Sequence, residues 1–147
     1  MKFFILLFFI FPFFRLQSQG VIICKENTPI SGTLNTYFYK PPKYLIVPNK
    51  IYASVVYQSE KQYYHKSITI NKNNGNYTFL LRVPDSTQVL IITVIDEENK
   101  SVDDNNGLGF TSYLYNKNGI KSASSYIQAA YMLSYFAPRM LHLNWIN

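Results

Sequence analysis

The tetrapeptide Asn73-Asn74-Gly75-Asn76, set between two segments suited to pairing, constrains this chain more than any other feature. Asn-Gly supplies positions that accept a positive φ, as a tight hairpin turn requires. Ser67-Ile68-Thr69-Ile70-Asn71 forms one arm and Tyr77-Thr78-Phe79-Leu80-Leu81-Arg82-Val83 the other. On the second arm Tyr77, Phe79, Leu81 and Val83 share one face, while Thr78 and Arg82 alternate with them. That period of two marks an antiparallel strand with one face buried.

Ile51-Tyr52-Ala53-Ser54-Val55-Val56-Tyr57 reads as another strand, and Val89-Leu90-Ile91-Ile92-Thr93-Val94-Ile95 as a continuous β-branched run suited to a sheet centre. Gly32–Tyr39, Tyr44–Val47 and Phe110–Tyr115 are further strand candidates, separated by Lys40-Pro41-Pro42-Lys43, Pro48-Asn49 and Asp103-Asp104-Asn105-Asn106-Gly107. Turn signals at roughly 8–12-residue spacing point to an antiparallel β-sandwich, immunoglobulin-like or transthyretin-like, over residues 21–121. After Asn116-Lys117-Asn118-Gly119 the pattern changes. Ser122 is placed to cap a helix from Ala123 to Ala137, stopped by Pro138, with Tyr126, Ile127, Ala130, Tyr131, Leu133 and Ala137 near one face. Residues 122–147 are thus expected to form a C-terminal helix and tail. A lone amphipathic helix must pack on something, and an open sheet face is one available surface.

Ahead of the sandwich, the apolar run Phe3–Phe14 covers 12 residues, whereas a helix needs roughly 20 to cross a bilayer. Lys2 precedes it and Arg15-Leu16-Gln17-Ser18-Gln19-Gly20 follows, the three-part pattern of a cleavable signal peptide over residues 1–20. Small residues at Ser18 and Gly20 place cleavage after Gly20. The product is then expected to be secreted or periplasmic, with no permanent membrane anchor. Cys24 follows Val21-Ile22-Ile23, which lacks the small residue that precedes a lipid-carrying cysteine. Removing the first 20 of 147 residues leaves 127, a single-domain length. Lys2 and Arg15 leave with the peptide, so the formal charge of +6 becomes +4. Lys40, Lys43 and Lys50 are the nearest approach to a basic cluster. Nucleic-acid binding wants a dense stripe with stacking aromatics, and no nucleic-acid partner is expected.

Cys24 is the only cysteine, so stability in an oxidising compartment must come from packing rather than an internal disulfide. An aromatic content of 17% suits that. Among Val21, Ile22 and Ile23, the thiol reads as a small buried apolar group rather than half of a catalytic dyad. His65 and His142 lack a His-Glu-x-x-His or paired-cysteine context, so no metal site is expected. There is no Gly-x-Ser-x-Gly elbow, and Ser124-Ser125 has no local base. Asp96-Glu97-Glu98 and Asp103-Asp104 offer oxygens to calcium, yet placing Asp104, Asn106 and Gly107 on the EF-hand pattern puts Val102 at its first ligand position. A solvated loop is the simpler expectation. Asn76-Tyr77-Thr78 and Asn99-Lys100-Ser101 match the glycosylation acceptor pattern. Tyr37, Tyr39, Tyr44, Tyr63 and Tyr64 remain as candidates for a surface that stacks on sugar rings or seats a partner protein, the alternative being core or cross-strand pairs.

The order Gly75-Asn76-Tyr77-Thr78-Phe79, Val83-Pro84-Asp85-Ser86, Leu90–Asp96, Asp103-Asp104-Asn105-Asn106-Gly107-Leu108-Gly109-Phe110 and Tyr113-Leu114-Tyr115-Asn116-Lys117-Asn118-Gly119 resembles the N-terminal β-sandwich module of exported bacterial TlpA-type thiol–disulfide oxidoreductases. The likeness covers residues 75–121 and consists of turn-and-strand motifs. It implies helices and then a thioredoxin-like domain whose Cys-x-x-Cys does the redox work. No position here matches that motif, so no catalytic residue and no cofactor carries over. Pro138-Arg139-Met140-Leu141-His142-Leu143-Asn144-Trp145-Ile146-Asn147 departs from the family, which implies truncation or a change of frame. The expected function is a non-catalytic exported accessory or binding module. A free-standing surface module for carbohydrate or protein is the alternative, and a small secreted hydrolase the second. Sugar binding calls for an exposed tyrosine platform. Hydrolysis calls for a pocket that brings His65 or His142 against a carboxylate or a serine.

Overall fold

A computed structural model describes residues 19–140. Residues 1–18 of the expected signal peptide and the tail from residue 141, with His142, lie outside the described residues. Among the described residues eight strands precede one helix: β1 (Val21–Cys24), β2 (Leu34–Lys40), β3 (Ile51–Ser59), β4 (Gln62–Asn73), β5 (Asn76–Arg82), β6 (Val89–Ile95), β7 (Ser101–Asp103), β8 (Phe110–Tyr113) and α1 (Ser124–Met140). The strands pair in the order β1-β2-β5-β4-β3-β6-β7, with β8 also on β6. All of these strand pairs are antiparallel. The fold is mainly antiparallel β with a single C-terminal helix, the class that the alternation and turn spacing indicate.

The sheet is curled, and β4 carries the curl. Its residues Gln62–Ile70 pair with β3, and Asn71–Asn73 pair with β5. One leaf is therefore β1-β2-β5 and the other β3-β6 with β7 and β8. Side chains at alternate positions of both leaves meet in a common core: Tyr37, Tyr39, Phe79 and Leu81 from the first, and Ile51, Ala53, Val55, Tyr57, Leu90, Ile92 and Val94 from the second. Full burial of each large apolar side chain contributes roughly 1.5–3 kcal/mol. Two tyrosines tie the leaves together. The Tyr37 hydroxyl lies 3.4 Å from Ser112 Oγ on β8, and the Tyr39 hydroxyl donates to Asp103 Oδ2 at 2.9 Å.

β6 is buried on both faces because α1 covers its outer side. Ala129 and Met132 pack with Val56, Val89 and Ile91, and Gln128 Nε2 donates to Gln58 Oε1 at 2.6 Å. The covering face differs from the expected one. Ser125, Ala129 and Met132 are buried, whereas Tyr126, Ile127 and Tyr131 are exposed, Ile127 to 75%. A small residue at Ala129 lets the helix approach the sheet, while the bulkier Tyr126 packs sideways on Tyr113 with ring centroids 5.0 Å apart. The helix also runs through Pro138 to Met140 rather than stopping there. The Ser122 hydroxyl pairs with Ser124 Oγ at 2.6 Å, and its carbonyl, not its side chain, receives the Ser125 N–H at 3.1 Å.

Tyr44–Val47 is not a strand. Prolines at 41, 42 and 48 withhold ladder donors around it, and Tyr44 and Ile46 stand in solvent. β4 in turn begins at Gln62, ahead of the expected Ser67, because Glu60 and Lys61 close a two-residue turn with φ of 50° and 65°. Neither residue type favours that region, so the turn carries no Asn-Gly signature.

The two hairpin turns should respond in opposite directions. Gly75 has φ of 81° with open space where a Cβ would go, so Gly75→Val should lower stability by ~1 kcal/mol or more through backbone strain alone. Replacing Glu60-Lys61 by Asn-Gly should raise stability by ~1 kcal/mol. Denaturant midpoints of the two variants measure both, and equal midpoints would contradict the turn geometry.

Candidate functional site

The five tyrosines proposed as a surface separate. Tyr37 and Tyr39 point inward from β2 and are 1% and 2% exposed. Tyr37 stacks on Phe79 with centroids 5.2 Å apart, and burial pushes the ionisation of both hydroxyls above the usual tyrosine range. They belong to the core and cannot meet a ligand. Tyr44 lies in the loop between β2 and β3, exposed. Tyr63 and Tyr64 are neighbours on β4 and so face opposite sides of the strand. Tyr64 comes nearest to the expected platform: its ring stacks on Tyr57, 5.5 Å between centroids and 18° between planes.

Tyr57 in turn lines a groove where β4 and β5 diverge into separate leaves. The two strands pair only from Asn71–Asn73 to Asn76–Thr78. Beyond, Lys66 Nζ spans the widening gap to donate to the Arg82 carbonyl at 3.0 Å. It also sits 5.8 Å from the Tyr57 ring centroid, within cation–π range. Arg82 Nε donates to the Gly32 carbonyl at 3.0 Å, which holds the guanidinium at the rim. The groove has a volume of about 350 Å³ and ends on Val83, Pro84 and Asp85. Gly32 is obligatory there: with φ of 77°, an added Cβ would lie 1.7 Å from Asp85 Oδ1.

Asp85 is shared with a second, smaller cleft of about 200 Å³ between the Pro84–Gln88 turn and the start of α1. Ser31, Ser86, Thr87, Gln88, Asn116 and Ser122, with the apolar Leu114 and Ile120, line it. Lys117 pairs with Asp85 at 2.8 Å, and this bond holds the carboxyl below the usual carboxylate range. Sequence reading missed Tyr57, Lys66, Arg82 and Thr87. The register of the Glu60-Lys61 hairpin, which sets Tyr57 opposite Tyr64, was the signal that could have found the first pair.

Comparison with protein-family models, curated proteins and solved structures finds no match for this chain. Among the described residues, no helix is long and apolar enough to cross a membrane.

The remaining candidate groups are engaged locally. Asp96 Oδ1 accepts the N–H groups of Glu98 and Lys100, both at 2.9 Å. Asp104 Oδ1 accepts from Gly107 at 2.9 Å. These carboxylates close their own loops, as Asx turns do. Ser54 Oγ and His65 Nε2 lie 2.8 Å apart, the contact that a hydrolase would need. However, Ser54 is 5% exposed, lines neither cleft, and sits on the same face of the sheet as His65, where neighbouring strands commonly exchange such bonds. Cys24 is buried on β1 and donates to Glu26 Oε2 at 3.0 Å. Burial first, and then the bond to Glu26, push its pKa up to about 12.

Two measurements follow from these environments. The native thiol should react with a disulfide reagent at pH 8 at least about tenfold more slowly than the same chain in denaturant; equal rates would contradict its burial. Burial lowers the pKa of His65 below the ordinary imidazole value, so protonation favours the unfolded chain. The stability this group contributes is complete above about pH 6.5 and declines as pH falls toward the folded value. Melting temperature should thus drop between pH 7.5 and 5.5, with a shallower drop for His65→Gln.

Proposed function

We propose that this chain is a non-catalytic, exported β-sandwich module that acts by binding, and that its groove takes an extended carbohydrate bearing acidic groups. The observation that carries this reading is the placement of Lys66 and the Arg82 side chain beside the exposed ring of Tyr64, which the buried Tyr57 backs by stacking. Aromatic faces stack on the C–H face of a sugar ring, and the two cations supply partners for carboxylates or sulfates. Arg82 uses Nε to anchor itself and keeps its terminal nitrogens for a planar oxyanion. A second reading makes the module an accessory to a thiol–disulfide oxidoreductase. A sandwich followed by a helix favours it, and the single buried Cys24 gives the chain itself no dithiol for turnover.

Affinity electrophoresis through polygalacturonate and through dextran separates acidic from neutral recognition. The chain should be retarded by polygalacturonate, less so as salt rises, and hardly by dextran. The Lys66→Ala, Arg82→Ala double variant should bind at least about tenfold more weakly, two lost charge-assisted contacts being sufficient for that. Lys40→Ala, Lys43→Ala removes the same charge from an exposed position elsewhere and should bind as the parent does. Equal weakening in both double variants would reduce the interaction to net charge and defeat the proposal.

A further inference from the structure

We propose that the cleft bounded by Ser31, Asp85, Thr87, Gln88, Asn116 and Ile120 is a subsite for one neutral pyranose ring. The inference rests on the binding reading above and extends it from the groove into the space that adjoins it at Asp85.

Thr87 is the central observation. It is 2% exposed, its N–H is spent on the Pro84 carbonyl at 3.0 Å, and its buried Oγ1 has no hydrogen-bond partner among the described residues. A buried hydroxyl left unpaired is destabilising and uncommon in native folds. Around it stand groups whose protein contacts leave a defined capacity. Asn116 Oδ1 accepts the N–H groups of Asn118 and Ile120, both at 2.9 Å, which fixes the amide oxygen and leaves Nδ2 as a donor. Gln88 Oε1 accepts from Ser124 Oγ at 2.8 Å, which leaves Nε2 in the same position. Asp85 offers carboxylate oxygens. The cleft therefore combines amide donors, a hydroxyl and a carboxylate acceptor, the set that reads vicinal hydroxyls, with Leu114 and Ile120 as an apolar wall for ring C–H groups.

Charge decides between a sugar and an anion. Among the described residues no lysine or arginine lines the cleft, and the cations that act on Asp85, Lys117 in a direct pair and Arg82 from the groove side, are engaged with that carboxylate, so an anion in the cleft would meet a carboxylate and no cation of its own. Size agrees: about 200 Å³ is room for about six or seven waters at liquid density, enough for a single ring and too little for a chain.

The test uses the full chain, labelled with nitrogen-15, titrated with the methyl glycosides of glucose, galactose, mannose and N-acetylglucosamine, and separately with sodium sulfate. At least one glycoside should shift the amide signals of Thr87, Gln88 and Asn116 saturably at millimolar concentration, while sulfate should not. Thr87→Ser should bind as the parent does, and Thr87→Val should bind about fivefold more weakly. If Thr87→Val does not fold, Gln88→Met should show a comparable loss. Saturable shifts with none of the glycosides, shifts with sulfate alone, or equal binding by a folded Thr87→Val would overturn the subsite. The Lys66→Ala, Arg82→Ala variant keeps the failures apart. If it binds the glycoside as the parent does, the subsite stands whatever becomes of polygalacturonate binding; if it loses the glycoside, the cleft is no separate subsite.

Discussion

β4 satisfies its backbone on two partners in succession, β3 as far as Ile70 and β5 from Asn71 onward. The ladder to β3 ends at Ile70 and the ladder to β5 begins at Asn71, so the two neighbours flank successive stretches of β4 and the sheet turns from one leaf to the other there. The two leaves face each other as a result, and the core lies in the angle between them. The groove is the same angle seen from outside. Lys66 and Arg82 come together there because each stands on its own leaf just beyond the point of divergence, and Tyr57 lies under Lys66 because β3 pairs alongside β4 in the same leaf. Core and candidate site are thus two consequences of one corner.

The buried tyrosines show how such a core accommodates polar atoms. Tyr37 and Tyr39 carry hydroxyls into the interior, where an unpaired oxygen would be destabilising by about 1–3 kcal/mol. Each finds its partner on the opposite leaf, in Ser112 and Asp103. Asp103 also accepts the Asn105 N–H at 3.3 Å, and Asn105 Nδ2 donates to the Gly109 carbonyl at 2.8 Å. The acidic loop after β7 is therefore a closed hydrogen-bonded unit fastened to the core by one tyrosine. Its carboxylates serve the architecture.

Most of the fold was legible because it was written in periodicity. Phe79 and Leu81 alternate with polar neighbours, and the β-branched run Val89–Ile95 is long enough to mark a strand buried on both faces. The first half of β4 was hidden. Its residues Tyr63-Tyr64-His65-Lys66 are exposed, so no apolar period marks them, and a Glu-Lys turn gives no glycine signal. The helix was legible in place but not in rotation: a sequence rich in Tyr and Ile suggests that those residues are buried, whereas contact with a sheet is set by the small Ala129 and the flexible Met132. Of the site, Tyr64 could be named from sequence. Thr87 could not, because a buried unpaired hydroxyl is a property of its surroundings.

The corner strand also orders the assembly of the molecule in time. β3, β4 and β5 follow one another through two-residue turns, so their pairing requires closure of very short loops and can proceed on the microsecond scale. Pairing β2 with β5, or β3 with β6, must instead close tens of residues of chain, and the helix can dock only after β6 is in place. The meander around β4 is accordingly the natural nucleus. A folding rate would then be governed by the two turns that flank β4, while the contacts of Tyr37, Tyr39 and α1, formed later, would chiefly determine how long the native state lasts.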